Sequence, residues 1–78
     1  METIRDIFKC FPLAVRKDYG KFILVAFESS PGLWSGRAWR STDWKPFLLP
    51  VFCESSDAVF NEFRSRIAVL NQFLRSYE

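Results

Sequence analysis

Lys21-Phe22-Ile23-Leu24-Val25-Ala26-Phe27 decides how this chain folds. Phe22 to Phe27 is the longest uninterrupted apolar run, rich in the aromatic and β-branched residues that suit a pleated, buried surface. Its length is that of a strand, far short of the roughly 20 residues a membrane helix needs. A strand without a polar side belongs in the middle of a sheet, covered on both faces or paired in a dimer. Before it, Leu13 to Tyr19 reads as another strand, running into turn chemistry at Asp18, Tyr19 and Gly20. Two such runs around a glycine-containing turn make a hairpin.

Working outward, Ser29-Ser30-Pro31-Gly32 marks the next reversal. Leu33 to Arg40 then forms a third strand, with Leu33, Ser35, Arg37 and Trp39 on one face and Trp34, Gly36, Ala38 and Arg40 on the other. Gly36 marks a bulge or the close approach of another group. Ser41 to Pro46 is a polar turn that holds Trp44, and Phe47 to Cys53 is a fourth strand in which Pro50 indicates an edge or a bulge. Ser55 and Ser56 cap a helix over about residues 57–76. Its apolar stripe is Phe60, Phe63, Ile67, Leu70, Leu74 and Tyr77, widened by Val59, Val69 and Phe73. Asp57 and Glu62 near its start and Arg75 near its end agree with the helix dipole. At the other end, Ile4, Ile7, Phe8 and Phe11 follow helical spacing and Thr3 with Asp6 resembles a cap, so a short helix is expected over residues 2–9. A strand from Ile7 onward, with Ile7, Phe11, Leu13 and Val15 on one side, fits the same residues. The expected architecture is α+β: four antiparallel strands in one curved sheet, then a long C-terminal helix.

The 78 residues, 49% of them hydrophobic, suffice for one core and one domain over 1–78. Histidine is absent, which removes the commonest general base and metal ligand. Cys10 and Cys53 have no CxxC motif around them and too few companions for structural zinc. Their apolar neighbours make buried free thiols the expectation and a disulfide the minor alternative. No two carboxylates have a spacing that commits them to one site, and the three glycines form no phosphate loop. These absences argue against an enzyme, a cofactor and a metal. Arg5, Asp6 and Lys9 interrupt the only candidate leader, so a cytoplasmic, nucleoid or nuclear protein with no membrane association is expected.

Charge is distributed unevenly. Residues 16–45 carry Arg16, Lys17, Lys21, Arg37, Arg40 and Lys45 against Asp18, Glu28 and Asp43, and they also hold Trp34, Trp39 and Trp44. Cations interleaved with flat rings suit single-stranded nucleic acid, whose phosphates attract the former and whose unstacked bases attract the latter. The candidate binding residues are Arg16, Lys17, Tyr19, Lys21, Arg37, Trp39 and Arg40. Arg37 and Arg40 project from opposite faces, and Arg37, on the face of Trp39, is the preferred member of that pair. The competing explanation for the rings is ordinary core packing, and for the charges a solvated sheet edge. A second functional class is a small inhibitor or immunity-type protein in which Trp34, Trp39 and Trp44 anchor a protein partner.

Several segments resemble the PUR domain of the Pur-alpha family and, more distantly, the single-stranded-DNA-binding coactivators called positive cofactor four. They are Gly20-Lys21-Phe22-Ile23-Leu24 with Glu28, Leu49-Pro50, Ala58-Val59, Glu62-Phe63-Arg64, Phe73 and Tyr77. The resemblance covers residues 11–77. Arg16-Lys17-Asp18-Tyr19-Gly20 departs from the family in lacking an asparagine before the glycine, and Trp44-Lys45-Pro46 stands where the coactivators carry basic and glycine residues. What the resemblance implies is a curved sheet that binds single-stranded DNA or RNA, and a homodimer formed through the C-terminal helix.

Overall fold

The computed structural model describes residues 3–75. In chain order they form α1 (Ile4–Cys10), β1 (Val15–Tyr19), β2 (Phe22–Ser30), β3 (Leu33–Arg40), β4 (Val51–Cys53) and α2 (Ser56–Arg75). The strands make one antiparallel sheet in the order β1-β2-β3-β4, so the α+β architecture follows the sequence pattern. No helix among the described residues is long and apolar enough to cross a membrane.

β2 is covered on both faces. Leu24 and Ala26 join Ala38, Val51, Val59, Phe60, Phe63 and Ile67 beneath α2. Ile23, Val25 and Phe27 join Trp39 and Ile7, with Ile4, Phe8 and Phe11 alongside, beneath α1. Each large apolar side chain so buried contributes about 1.5–3 kcal/mol. A seven-residue helix is too short to be stable alone, so α1 depends on this packing and on its cap. Thr3 and Asp6 form a reciprocal capping box there.

The turns are set by glycines at positive φ. Gly20, at φ 61°, is the first residue of the two-residue β1–β2 turn, the place a hairpin glycine takes in a type II′ turn. Pro31 and Gly32 (φ 77°) form the β2–β3 turn in the order that a type II turn favours. β2 runs three residues beyond Phe27, because the pairing of β3 carries it to Ser30 past an irregularity at Glu28 and Ser30.

The fourth strand is shorter than Phe47 to Cys53. Only Val51–Cys53 pairs continuously with β3, and the preceding segment touches it through a Trp39–Pro46 bridge and a Phe47 N–H donated to the Ala38 carbonyl. Pro46 and Pro50 have no N–H to give a ladder, which breaks the strand between them. Leu49-Pro50 therefore lies just before β4.

α2 begins where expected, with the Ser55 hydroxyl accepting from the Ala58 N–H. Val59, Phe60, Phe63 and Ile67 are buried and Leu70 is half-buried, whereas Val69 and Phe73 are exposed. Tyr77 and the Leu74 side chain lie outside the described residues. Both cysteines are free thiols, but Cys10 is exposed and Cys53 half-buried, so the buried setting expected from their neighbours does not hold.

Gly36 lies directly under α2. A Cβ there would fall 2.7 Å from Phe63 and 2.8 Å from Val51, and nearer still to Val59. The glycine is thus a close-approach position, and no bulge interrupts its pairing with Ala26. Gly36→Ala should destabilise the protein by about 1–3 kcal/mol, through overpacking, in chemical denaturation. An unchanged midpoint would mean that α2 does not sit this close.

Candidate nucleic-acid interface

Alternation on β1 and β3 divides the basic residues between the two sides of the sheet. Cross-strand pairing aligns Lys17 with Leu24 and Ala38, and Tyr19 with Phe22 and Arg40, on the α2 side. The same register aligns Arg16 with Val25 and Arg37, and Asp18 with Ile23 and Trp39, on the α1 side.

On the α1 side, Trp39 is only 4% exposed and packs with Ile7, Ile23, Val25 and Phe27. It offers no face to a base, so its expected role as a stacking platform is corrected to one in the core. Arg37 stays on that side, its guanidinium 5.3 Å from the Phe27 ring centroid and donating to the Gly36 carbonyl. Arg16 pairs with Asp18 at 2.9 Å and lies 5.9 Å from the centroid of Trp44. Trp44, 48% exposed and at φ 58°, occupies a backbone region that a bulky residue rarely adopts. Trp34 faces α2 and packs partly buried against that cluster. The three tryptophans therefore do not form one shared hot spot.

On the α2 side, the remaining predicted residues converge. α2 crosses the sheet toward the Gly20-Lys21 turn and leaves a seam along β1. Its first section sets the cations Lys17 and Arg64 among the acids Asp18 and Asp57, with Tyr19, Leu24, Phe60 and Asn61. The Lys17 ammonium lies 5.0 Å from the Phe60 centroid, and the Arg64 guanidinium 5.5 Å from that of Tyr19, both within cation–π range. Tyr19 is shared with the second section, a groove that holds Lys21, Phe22, Arg40, Phe47 and Asn71. Phe22 and Phe47 form a tilted pair there, with centroids 4.6 Å apart. The two tips meet where the Ser41 N–H and hydroxyl both donate to the Lys21 carbonyl.

Lys17, Tyr19, Lys21 and Arg40 thus share one surface, while Arg16, Arg37 and Trp39 lie on the opposite one. Arg64, Phe22 and Phe47 complete the seam and were missed as site residues in the sequence. Asp57, Asn61, Arg64 and Asn71 recur at helical steps along one polar flank of α2, and this is the signal that could have identified Arg64. The described residues contain no cluster of three or more histidine, cysteine or acidic side chains placed to hold a metal. No protein family, curated protein or solved structure compared with the chain matches it.

Arg40 forms a two-point pair with Asp43. Hydrogen bonding from Arg40 holds the Asp43 carboxyl below its ordinary range, aided by the Lys45 N–H, and the same bond raises Arg40 further. A depressed carboxyl contributes stability above its unfolded value and loses it as pH falls through the folded one. The loop at 41–45 should therefore loosen only below the ordinary carboxylate range. NMR titration of the Asp43 carboxyl carbon should give a low midpoint that returns upward in Arg40→Gln; equal midpoints in the two proteins would remove the pair as its cause.

Proposed function

We propose that the protein binds single-stranded DNA or RNA, with little sequence preference, along the seam between β1 and α2. The observation that carries this reading is the convergence of Lys17, Lys21, Arg40 and Arg64 on Tyr19 and the Phe22–Phe47 pair. Cations at the rim meet phosphates, and rings between them accept the apolar faces of unpaired bases. Compared with the surface expected from the sequence, the binding face moves from Arg37 and Trp39 to Arg40 and Arg64. A PUR-like mode of nucleic-acid binding belongs to the same proposal, supported by the strand order and the final helix.

Fluorescence polarisation with an oligonucleotide pool tests this proposal. Four cations matched to phosphates give a log affinity against log salt slope of about −3 for a single strand. Lys17→Ala and Arg64→Ala should each weaken binding and make the slope shallower by about 0.7. Arg37→Ala, on the far side of the sheet, should leave both unchanged. Absence of binding at low salt, or an equal loss in Arg37→Ala, would reject the seam.

A homodimer through α2 belongs to the same proposal and is supported by a different observation. Leu49, Phe52, Val69 and Phe73 are all exposed, and Leu48, Val69, Leu70 and Phe73 line an apolar groove on the flank of α2 away from the seam. The partner proposed for this flank is a second copy of the chain, paired through α2. Sedimentation over a concentration range should then show a dimer that Phe73→Lys weakens at least tenfold, the loss expected of a buried aromatic anchor. A mass that stays at one chain at every concentration rejects this pairing.

A further inference from the structure

The groove at the end of the seam has a composition that a plain phosphate track does not need. It encloses about 600 Å³, within the range of roughly 300–1,000 Å³ typical of small-ligand pockets. Its floor is built from Phe22, Phe47 and Ile67, and its charges, Lys21 and Arg40, belong to the strand ends around it. Tyr19 forms a wall, and Asn71 supplies a side-chain amide. Such a site suits a ligand that joins a flat, mostly apolar ring to a negative group.

We infer that this groove is a slot for one unstacked nucleobase of a bound strand, with the adjoining phosphate held by Lys21 and Arg40. The inference rests on the nucleic-acid reading above and adds a place for a base to the track for phosphates. The cross-strand row Tyr19–Phe22–Arg40 sets the order: ring, ring, cation, on one side of the sheet. Phe47 is brought against Phe22 because its N–H is tied to the Ala38 carbonyl, so the aromatic floor is held by the backbone of the fold. A base in a duplex is already stacked and paired, and extracting it costs a few kcal/mol. The slot therefore selects single strands over duplexes without reading sequence.

The test compares a mixed-sequence single strand, an abasic phosphodiester of equal length and the matching duplex, each against wild type and Asn71→Trp. Asn71 is exposed on α2, so the indole can fill the groove without removing a cation or a core residue. Wild type should bind the normal strand about tenfold more tightly than the abasic one, the effect of one stacked base, and the duplex no better than the abasic strand. Asn71→Trp should bind both single strands equally, at the abasic affinity. Thr42→Trp, at the opposite rim, repeats the experiment should the first variant misfold by circular dichroism.

Equal binding of normal and abasic strands by wild type overturns the slot and leaves the phosphate track standing. Failure of both to bind removes the track and the slot together. A preference that survives in both tryptophan variants places the base contacts elsewhere and also overturns the slot. Saturation by a free nucleoside monophosphate at micromolar concentration, with no gain from an attached strand, assigns the groove to a free nucleotide and overturns it as well.

Discussion

β2 has no polar face, and this constraint organises the molecule. A strand whose successive side chains point to opposite sides, with Ile23 to Phe27 all apolar, must be covered twice. One cover is α2, long enough at 20 residues to span about 30 Å and bury Val59, Phe60, Phe63 and Ile67. The other is α1, one-third as long, which covers Ile23, Val25, Phe27 and Trp39 with the help of the chain up to Ala14. Gly36 lets the longer helix approach, because a Cβ there would collide with Val59, Phe63 and Val51. The hairpin turns then only have to reverse a sheet whose centre is already settled.

Double coverage determines where a ligand can touch the protein. Neither flat face of the sheet centre is open, so an interface has to use strand ends, the outer edge of β1 or the flanks of α2. The seam uses all three. On the far side, Trp39 is buried in the cluster beneath α1, and Arg37 lies half-buried over the Phe27 ring. The position of the candidate site is thus a consequence of the core.

The strands and the long helix were legible because their signals are local: the unbroken run in β2, glycines at both hairpin turns, and three- and four-residue spacing through α2. β3 was read with its observed bounds for the same reason. The Trp39 assignment failed on something alternation cannot supply. Period two says that Arg37 and Trp39 share a face; whether that face is wet depends on α1, a helix too short for its pattern to show what it covers. Arg64 was hidden by a related gap, because a polar flank of a helix becomes part of a site only once strand order puts β1 beside it. Pro46 and Pro50 were visible, and their effect on β4 was larger than a single edge or bulge, since two missing donors within five residues interrupt the ladder between them.

The cations differ in how much charge they can give to a partner, and their neighbours sort them. Arg16, Arg40 and Arg66 each lie against a carboxylate, from Asp18, Asp43 and Glu62, so an incoming phosphate must compete with an acid already in place. Among the described residues, no carboxylate pairs with Lys17, Lys21 or Arg64. Lys17 and Arg64 rest instead on the rings of Phe60 and Tyr19, which orient a cation without neutralising it. The two rings then differ in what else they can do: Tyr19 is exposed and offers flat surface to a base, whereas Phe60 is buried and serves only to support Lys17. Arg40 is the exception that fits the geometry, because Asp43 holds its guanidinium at the rim of the groove while taking up part of its hydrogen-bonding capacity. The strongest attraction for an anion should accordingly lie in the groove, whose lining holds Lys21 and Arg40 and no carboxylate, whereas Asp18 and Asp57 line the section that holds Lys17 and Arg64.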